Sequence, residues 1–124
     1  MRILVVEEDA DARAFLMGVL KEAGDNVEGY DNLCDAVRAM MRGPCDMLLM
    51  DIQLPGVPCE TALSLLQEVA PGVPVVLTTA DPGGRQAARG ARAGAFRVVA
   101  KPFKATEILE AVGRAQASRG SALA

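Results

Sequence analysis

The chain has 124 residues, just over half of them hydrophobic and four aromatic, with a net charge of −3. That length fits one domain with a single aliphatic core, and the acidic balance excludes the basic face expected of a nucleic-acid-binding chain. Three cysteines (Cys34, Cys45, Cys59) without a histidine exclude a zinc site of the usual spacing and fit reduced thiols, while the absence of a signal peptide or membrane-length apolar stretch points to a soluble cytoplasmic protein that contacts no membrane.

Five short apolar runs, at residues 3–6, 26–30, 46–50, 73–78 and 96–100, recur about every 20–27 residues. Helical patterns lie between them. Asp9 or Asp11 can cap a first helix whose apolar set is Ala12, Phe15, Leu16, Val19, Leu20 and Ala23, with Gly24 as its stop. Leu33, Ala36, Val37, Met40 and Met41 form a second stripe ended by Gly43-Pro44. Ala62, Leu65, Leu66 and Val69 form a third, ended by Pro71-Gly72. The fourth, over residues 85–93, is weak, small-residue and Arg-rich. Ile108, Leu109, Val112 and Ala115 make the fifth, after a cap at Thr106; residues 118–124 have the composition of a tail or linker following a domain over 1–117.

Alternation of this kind predicts βαβ units, hence an α/β, doubly wound five-stranded parallel sheet with helices on both faces. Right-handed crossovers bring all strand C-termini to one edge, where such sheets place their ligands. At that edge the sequence puts Glu7, Glu8 and Asp9 after the first strand, Asp51 after the third, Thr78 or Thr79 after the fourth, and Lys101 after the fifth. Carboxylates, a hydroxyl and a lysine suit a hard divalent cation and a phosphoryl group. Each alone has an ordinary structural use as a helix cap, a turn or a strand former; their shared position carries the argument.

Residues 1 to about 117 resemble the receiver domain of two-component response regulators, the flavodoxin-like module of chemotaxis-regulator type. The resemblance rests on Ile3-Leu4-Val5-Val6-Glu7-Glu8-Asp9, Asp51-Ile52-Gln53-Leu54-Pro55-Gly56, Val75-Val76-Leu77-Thr78-Thr79-Ala80, Gly94-Ala95 and Lys101-Pro102-Phe103, in this order and spacing. It implies strand order 2-1-3-4-5 and Asp51 as phosphoacceptor for a sensor histidine kinase, a phosphotransfer protein or a small phosphodonor, with slow autodephosphorylation rather than enzymatic turnover. It also implies Mg²⁺ held by Glu7, Glu8, Asp51 and the backbone carbonyl of Gln53. Thr79 and Lys101 would meet the phosphoryl group, Gln53 and Asp81 would flank the water's approach, and the bond before Pro102 would be cis. The same likeness allows a homodimer through the face of the fourth helix, fifth strand and fifth helix, where Arg85, Arg89, Arg92 and Arg97 could equally form a solvated basic face.

Three departures from the family pattern bear on function. Glu8 stands where an Asp is usual, which predicts weaker Mg²⁺ binding than in a Glu8→Asp variant, because Mg²⁺ tolerates little departure from octahedral geometry. Val98 stands where a Tyr or Phe is usual, with Phe96 two residues earlier on the same strand face. The loop Asp81-Pro82-Gly83-Gly84 is permissive in backbone and predicts a mobile segment. Glu8 and Val98 also motivate an alternative, a receiver used as a phosphorylation-independent docking or dimerisation module. A metal-dependent aspartyl-phosphate phosphatase is a third reading. It is weakened by Gln53, an amide where a general acid is needed.

Overall fold

A computed structural model describes the backbone of residues 1–123 and the side chains of residues 1–119. The elements run in order β1 (Arg2–Val6), α1 (Ala10–Glu22), β2 (Asn26–Tyr30), α2 (Leu33–Met41), β3 (Met47–Asp51), α3 (Cys59–Val69), β4 (Val75–Thr79), α4 (Arg85–Arg92), β5 (Arg97–Ala100) and α5 (Ala105–Leu123). The strands form one parallel sheet of order β2-β1-β3-β4-β5, so the chain is doubly wound as its alternation predicts.

Period-two alternation divides the buried side chains between the two faces of the sheet. Leu4, Val6, Leu48, Met50, Val75 and Leu77 pack against α2, α3 and α4. Ile3, Val5, Met47, Leu49, Val76 and Val99 pack against α1 and α5. Central strands covered on both faces are therefore nearly all apolar, which is why they were visible as continuous runs.

Local chemistry sets the element ends. Asp9 is the cap of α1, its Oδ2 accepting from the Ala12 amide at 2.8 Å, and Gly24 closes the helix at φ 93°. Asn32, which the apolar pattern does not announce, caps α2 in the same way. Thr106 is not a cap: α5 begins at Ala105, and the Lys104 carbonyl accepts from Glu107 and Ile108. β4 starts at Val75 rather than at 73, because Val73 turns back to the Ala70 carbonyl and Pro74 has no amide hydrogen to give the sheet. Helix α5 continues beyond 117, and Arg119 Nη1 donates to the Asp46 carbonyl at 2.9 Å. Phe15, expected on the buried stripe of α1, is 43% exposed and stacks on Phe103. Among the described residues, no helix is long and apolar enough to cross a membrane.

Candidate functional site

Parallel pairing sets Val6 beside Met50, Asp51 beside Thr78 and Thr79 beside Ala100. The residues just past these positions therefore meet at one edge. Lys101, directly after β5 and followed by a cis bond to Pro102, is the residue that joins them. Its Nζ donates to Glu7 Oε1 at 2.6 Å and to Asp51 Oδ2 at 2.9 Å. Strand ends 94 and 50 residues away in sequence are thus tied by one ammonium.

The electrostatics follow from burial. The Glu7 side chain is 2% exposed and that of Asp51 12%. Burial, reinforced by the adjoining Asp51 carboxylate, holds Glu7 above the usual carboxylate range, although Lys101 pulls it down. Burial also works against the Lys101 charge, but the Asp51 and Glu7 carboxylates outweigh it and raise the ammonium above its ordinary value. The site has more negative charge than one lysine balances.

The loops hold these groups in place. Asp51 Oδ1 accepts from the Gln53 amide at 2.9 Å, and Glu7 Oε2 from the Asp9 amide at 3.2 Å. Arg13, one turn into α1, donates from Nη1 to the Glu7 carbonyl at 2.8 Å and thereby pins the acidic loop. Sequence reasoning missed Arg13. Its signal was a cation one helical turn after the cap.

The other candidates lie at varying distance from this cluster. Glu8 is exposed and lines a cavity of ≈ 390 Å³ with Asp31, Asn32, Cys34, Leu54 and Val57, away from the lysine bridge. Thr79 is buried, and its Oγ1 accepts from the Asp81 amide at 3.0 Å; Asp81 itself is exposed. Val98 is partly buried against the α2–α4 side of the core. Phe96 sits just before β5, at the opposite end of that strand from Lys101, and is 37% exposed. It does not accompany the site as a replacement aromatic.

Oxygen donors without histidine or thiol suit Mg²⁺, which takes one or two carboxylates and keeps several waters. The surplus negative charge around Glu7 and Asp51 fits a divalent ion as well. Among the described residues, however, no three acidic or metal-binding side chains converge into a closed cage. Glu8 is the member that stands apart.

A parallel sheet of this order, with an acid just after β1, another closing β3 and a lysine after β5, defines a class of signalling domain. The profile of the response regulator receiver domain matches residues 3–113, and the chain belongs to that family, whose members interact with histidine kinases or phosphotransfer proteins. It is 32% identical over 123 residues to the transcriptional regulatory protein CusR of Escherichia coli (strain K12), covering 99% of this chain and 54% of that regulator. The chain thus spans about half the length of this relative. It is also similar to the crystal structure of NtrX from Brucella abortus in complex with ADP (TM-score 0.90, 26% identity, 96% of this chain and 27% of that one). The receiver domain of sensor histidine kinase PA1611 from Pseudomonas aeruginosa PAO1, solved with a magnesium ion coordinated in its active-site cleft, superposes with a TM-score of 0.84 at 27% identity, over 94% of this chain and 97% of that one.

Proposed function

We propose that this chain is the phosphorylation-driven switch of a two-component response regulator, acting in the cytoplasm, with Asp51 as phosphoacceptor. The supporting observation is the Lys101 ammonium shared between Asp51 and Glu7 at the C-terminal edge of the sheet. The donor is a histidine kinase, a phosphotransfer protein or a small phosphodonor. An Asp51 carboxylate oxygen attacks phosphorus in line, the phosphorus–nitrogen bond of phosphohistidine breaks, and its electron pair returns to the imidazole, which takes up a proton.

Phosphorylation adds about 1.5–2 negative charges and three acceptor oxygens. Lys101 then turns from the carboxylate to a phosphoryl oxygen. The Thr79 hydroxyl, which accepts from the Asp81 amide in this state, rotates to donate to another phosphoryl oxygen and draws the β4–α4 loop inward. Glu7, Glu8, Asp51 and the Gln53 carbonyl would hold Mg²⁺, which when bound neutralises charge on the phosphoryl oxygens. Because Glu8 stands outside the cluster, the acidic loop pinned by Arg13 must adjust for it to contribute. The stacked pair Phe15 and Phe103, with ring centroids 5.8 Å apart, borders a cavity with Asp11, Ala12 and Lys101 and gives the phosphodonor protein an apolar landing surface beside the acceptor.

Incubation with Mg²⁺ and a small acyl phosphate tests this reading by intact mass and amide spectra. The expected result is one phosphoryl group per chain, lost in Asp51→Asn, with amide shifts around Thr79. The exposed position of Glu8 favours one second reading, a docking module that works without phosphate; an unmodified chain and an unchanged spectrum would establish it over the switch.

A further inference from the structure

Gln53 touches two parts of the molecule at once. Its backbone amide donates to Asp51 Oδ1 at 2.9 Å, while its side-chain Nε2 donates to Gln86 Oε1, in the first turn of α4, at 3.3 Å. Among the described residues this is the side-chain hydrogen bond between the loop after Asp51 and α4, beside the apolar packing of Ile52 near Ala87 and Gly90. Apart from Ala87, which is buried in the core, that first turn has little to fasten it: Gly84 caps the helix without a side-chain bond, and the turn contains no acidic residue. The far turn of α4 is seated differently. Gly90 lies so close to β4 that a Cβ there would stand 2.5 Å from Leu77 Cδ1.

We propose that Gln86 is a positioning residue: by holding the Gln53 side chain across the rim of the acceptor site, it makes the lifetime of the Asp51 phosphoryl group depend on the position of α4. The inference rests on the phosphoacceptor reading above. In hydrolysis, water attacks phosphorus opposite the Asp51 oxygen, the phosphorus–oxygen bond breaks, and the carboxylate is regenerated as phosphate leaves with the proton from water. The water must pass the residue two beyond Asp51. A tethered Gln53 amide obstructs that path and a free one leaves it open. Displacement of α4 during signalling therefore shortens the signal. Val98 gives this route added weight, since a valine cannot report the change by the inward swing of an aromatic ring.

The test uses the full chain, a small acyl phosphate and Mg²⁺. One hydrogen bond is worth about a threefold to tenfold change in rate, so Gln86→Met, which leaves at most a weak acceptor, is expected to shorten the phosphoryl lifetime by about that factor. Gln86→Glu keeps the accepting oxygen and is expected to restore the native lifetime. Gln53→Met and the double variant should match Gln86→Met, because all three break the same bond. In the unphosphorylated chain, the Gln53 side-chain amide resonances should move on Gln86→Met and stay put on Gln86→Glu.

Additive effects at the two positions, an unmoved lifetime, or Gln53 resonances indifferent to Gln86→Met would each overturn the inference while leaving the phosphoacceptor reading intact. A native chain that forms no adduct at all would bring down both.

Discussion

Helices α2 and α4 lie on the same face of the sheet and are nearly equal in length, at 9 and 8 residues, yet they are fastened in opposite ways. At its start α2 has Asn32 Oδ1 accepting from the Asp35 amide at 2.8 Å. Around its C-terminal end, Arg2 donates to the carbonyl of Ala39 in the last turn at 3.0 Å and to those of Gly43 at 2.7 Å and Pro44 at 3.1 Å just beyond, and pairs with Glu28 at 2.5 Å. By contrast α4 starts at Gly84 with no side-chain cap, follows the loop Asp81-Pro82-Gly83-Gly84, and exposes Arg85, Arg89 and Arg92. Its last turn is seated by Gly90 against β4. The polar fastening there is limited to dipole support from Arg89 and Arg92, a long bond from Arg92 Nε to the Ala88 carbonyl at 3.4 Å and another from Gln67 Nε2 to the Ala93 carbonyl at 3.4 Å. The fixed helix keeps the fold while the loosely held one can shift at low cost. A switch needs both.

Hydrogen exchange measures that contrast directly, and the largest expected effects come from removing what fastens α2. Arg2→Ala should cost about 2 kcal/mol in urea unfolding, since three carbonyls and the Glu28 carboxylate lose a charged donor. The α2 amides should then exchange nearly as readily as those of α4. Equal protection of the two helices in the native chain would break the comparison at once. The same substitution has a pH signature. The Arg2 hydrogen bond holds Glu28 below the ordinary carboxylate range, against the effect of burial. A depressed folded value contributes stability that is fully present above the unfolded glutamate range of about 4.3 and is lost as pH falls through the lower folded value. The native chain should lose that contribution on acidification, and Arg2→Ala should show a flatter profile there.

A smaller effect is expected at the other end of the helix. Asn32→Ala removes one cap and should cost about 1 kcal/mol, with faster exchange confined to the first turn of α2. Gly84→Ala at the start of α4 has no side-chain cap bond to break, but its Cβ would clash with Asp81 Oδ2 and must push that side chain aside. Its loss of protection should therefore be confined to the loop from Asp81 and the first turn of α4.

The contrast between these helices was partly legible in the sequence. Residues 85–93 stood out as a weak, Arg-rich helix behind a permissive loop, because small and charged residues leave no continuous apolar stripe. The strands were legible because burial on both faces leaves no polar alternation, and the strand-end positions of Asp51, Glu7 and Lys101 followed from the right-handed crossover rule. Side-chain direction at exposed loops was not legible. Glu8 adjoins Glu7 in sequence, but Glu7 is buried against Lys101 while Glu8 is exposed and lines a cavity with Asp31 and Leu54, a difference that no strand or helix period marks past the end of β1. The Gln53–Gln86 bond joins exposed amides 33 residues apart, and no periodicity marks such a pair. Phe15 fitted the helical stripe by spacing, yet it lies near the strand-end edge of α1, where Phe103 rather than the core covers it.

An effect of similar size but opposite sign concerns the strand that feeds α4. Thr78 is 1% exposed, and its Oγ1 has no hydrogen-bond partner. It pairs in register with Asp51 on one side and Val99 on the other. A buried hydroxyl without a partner has lost its water without compensation, so Thr78→Val, which keeps the β-branched shape, should raise stability by about 1 kcal/mol. Protection of the β4 amides should rise with it. The α4 amides open locally, without unfolding the strand, so their exchange should stay as it was and the gap between the helix and the rest of the fold should widen. If α4 protection rose in step with β4, helix and strand would be one cooperative unit, and displacing α4 would then require breaking the strand that carries Thr79.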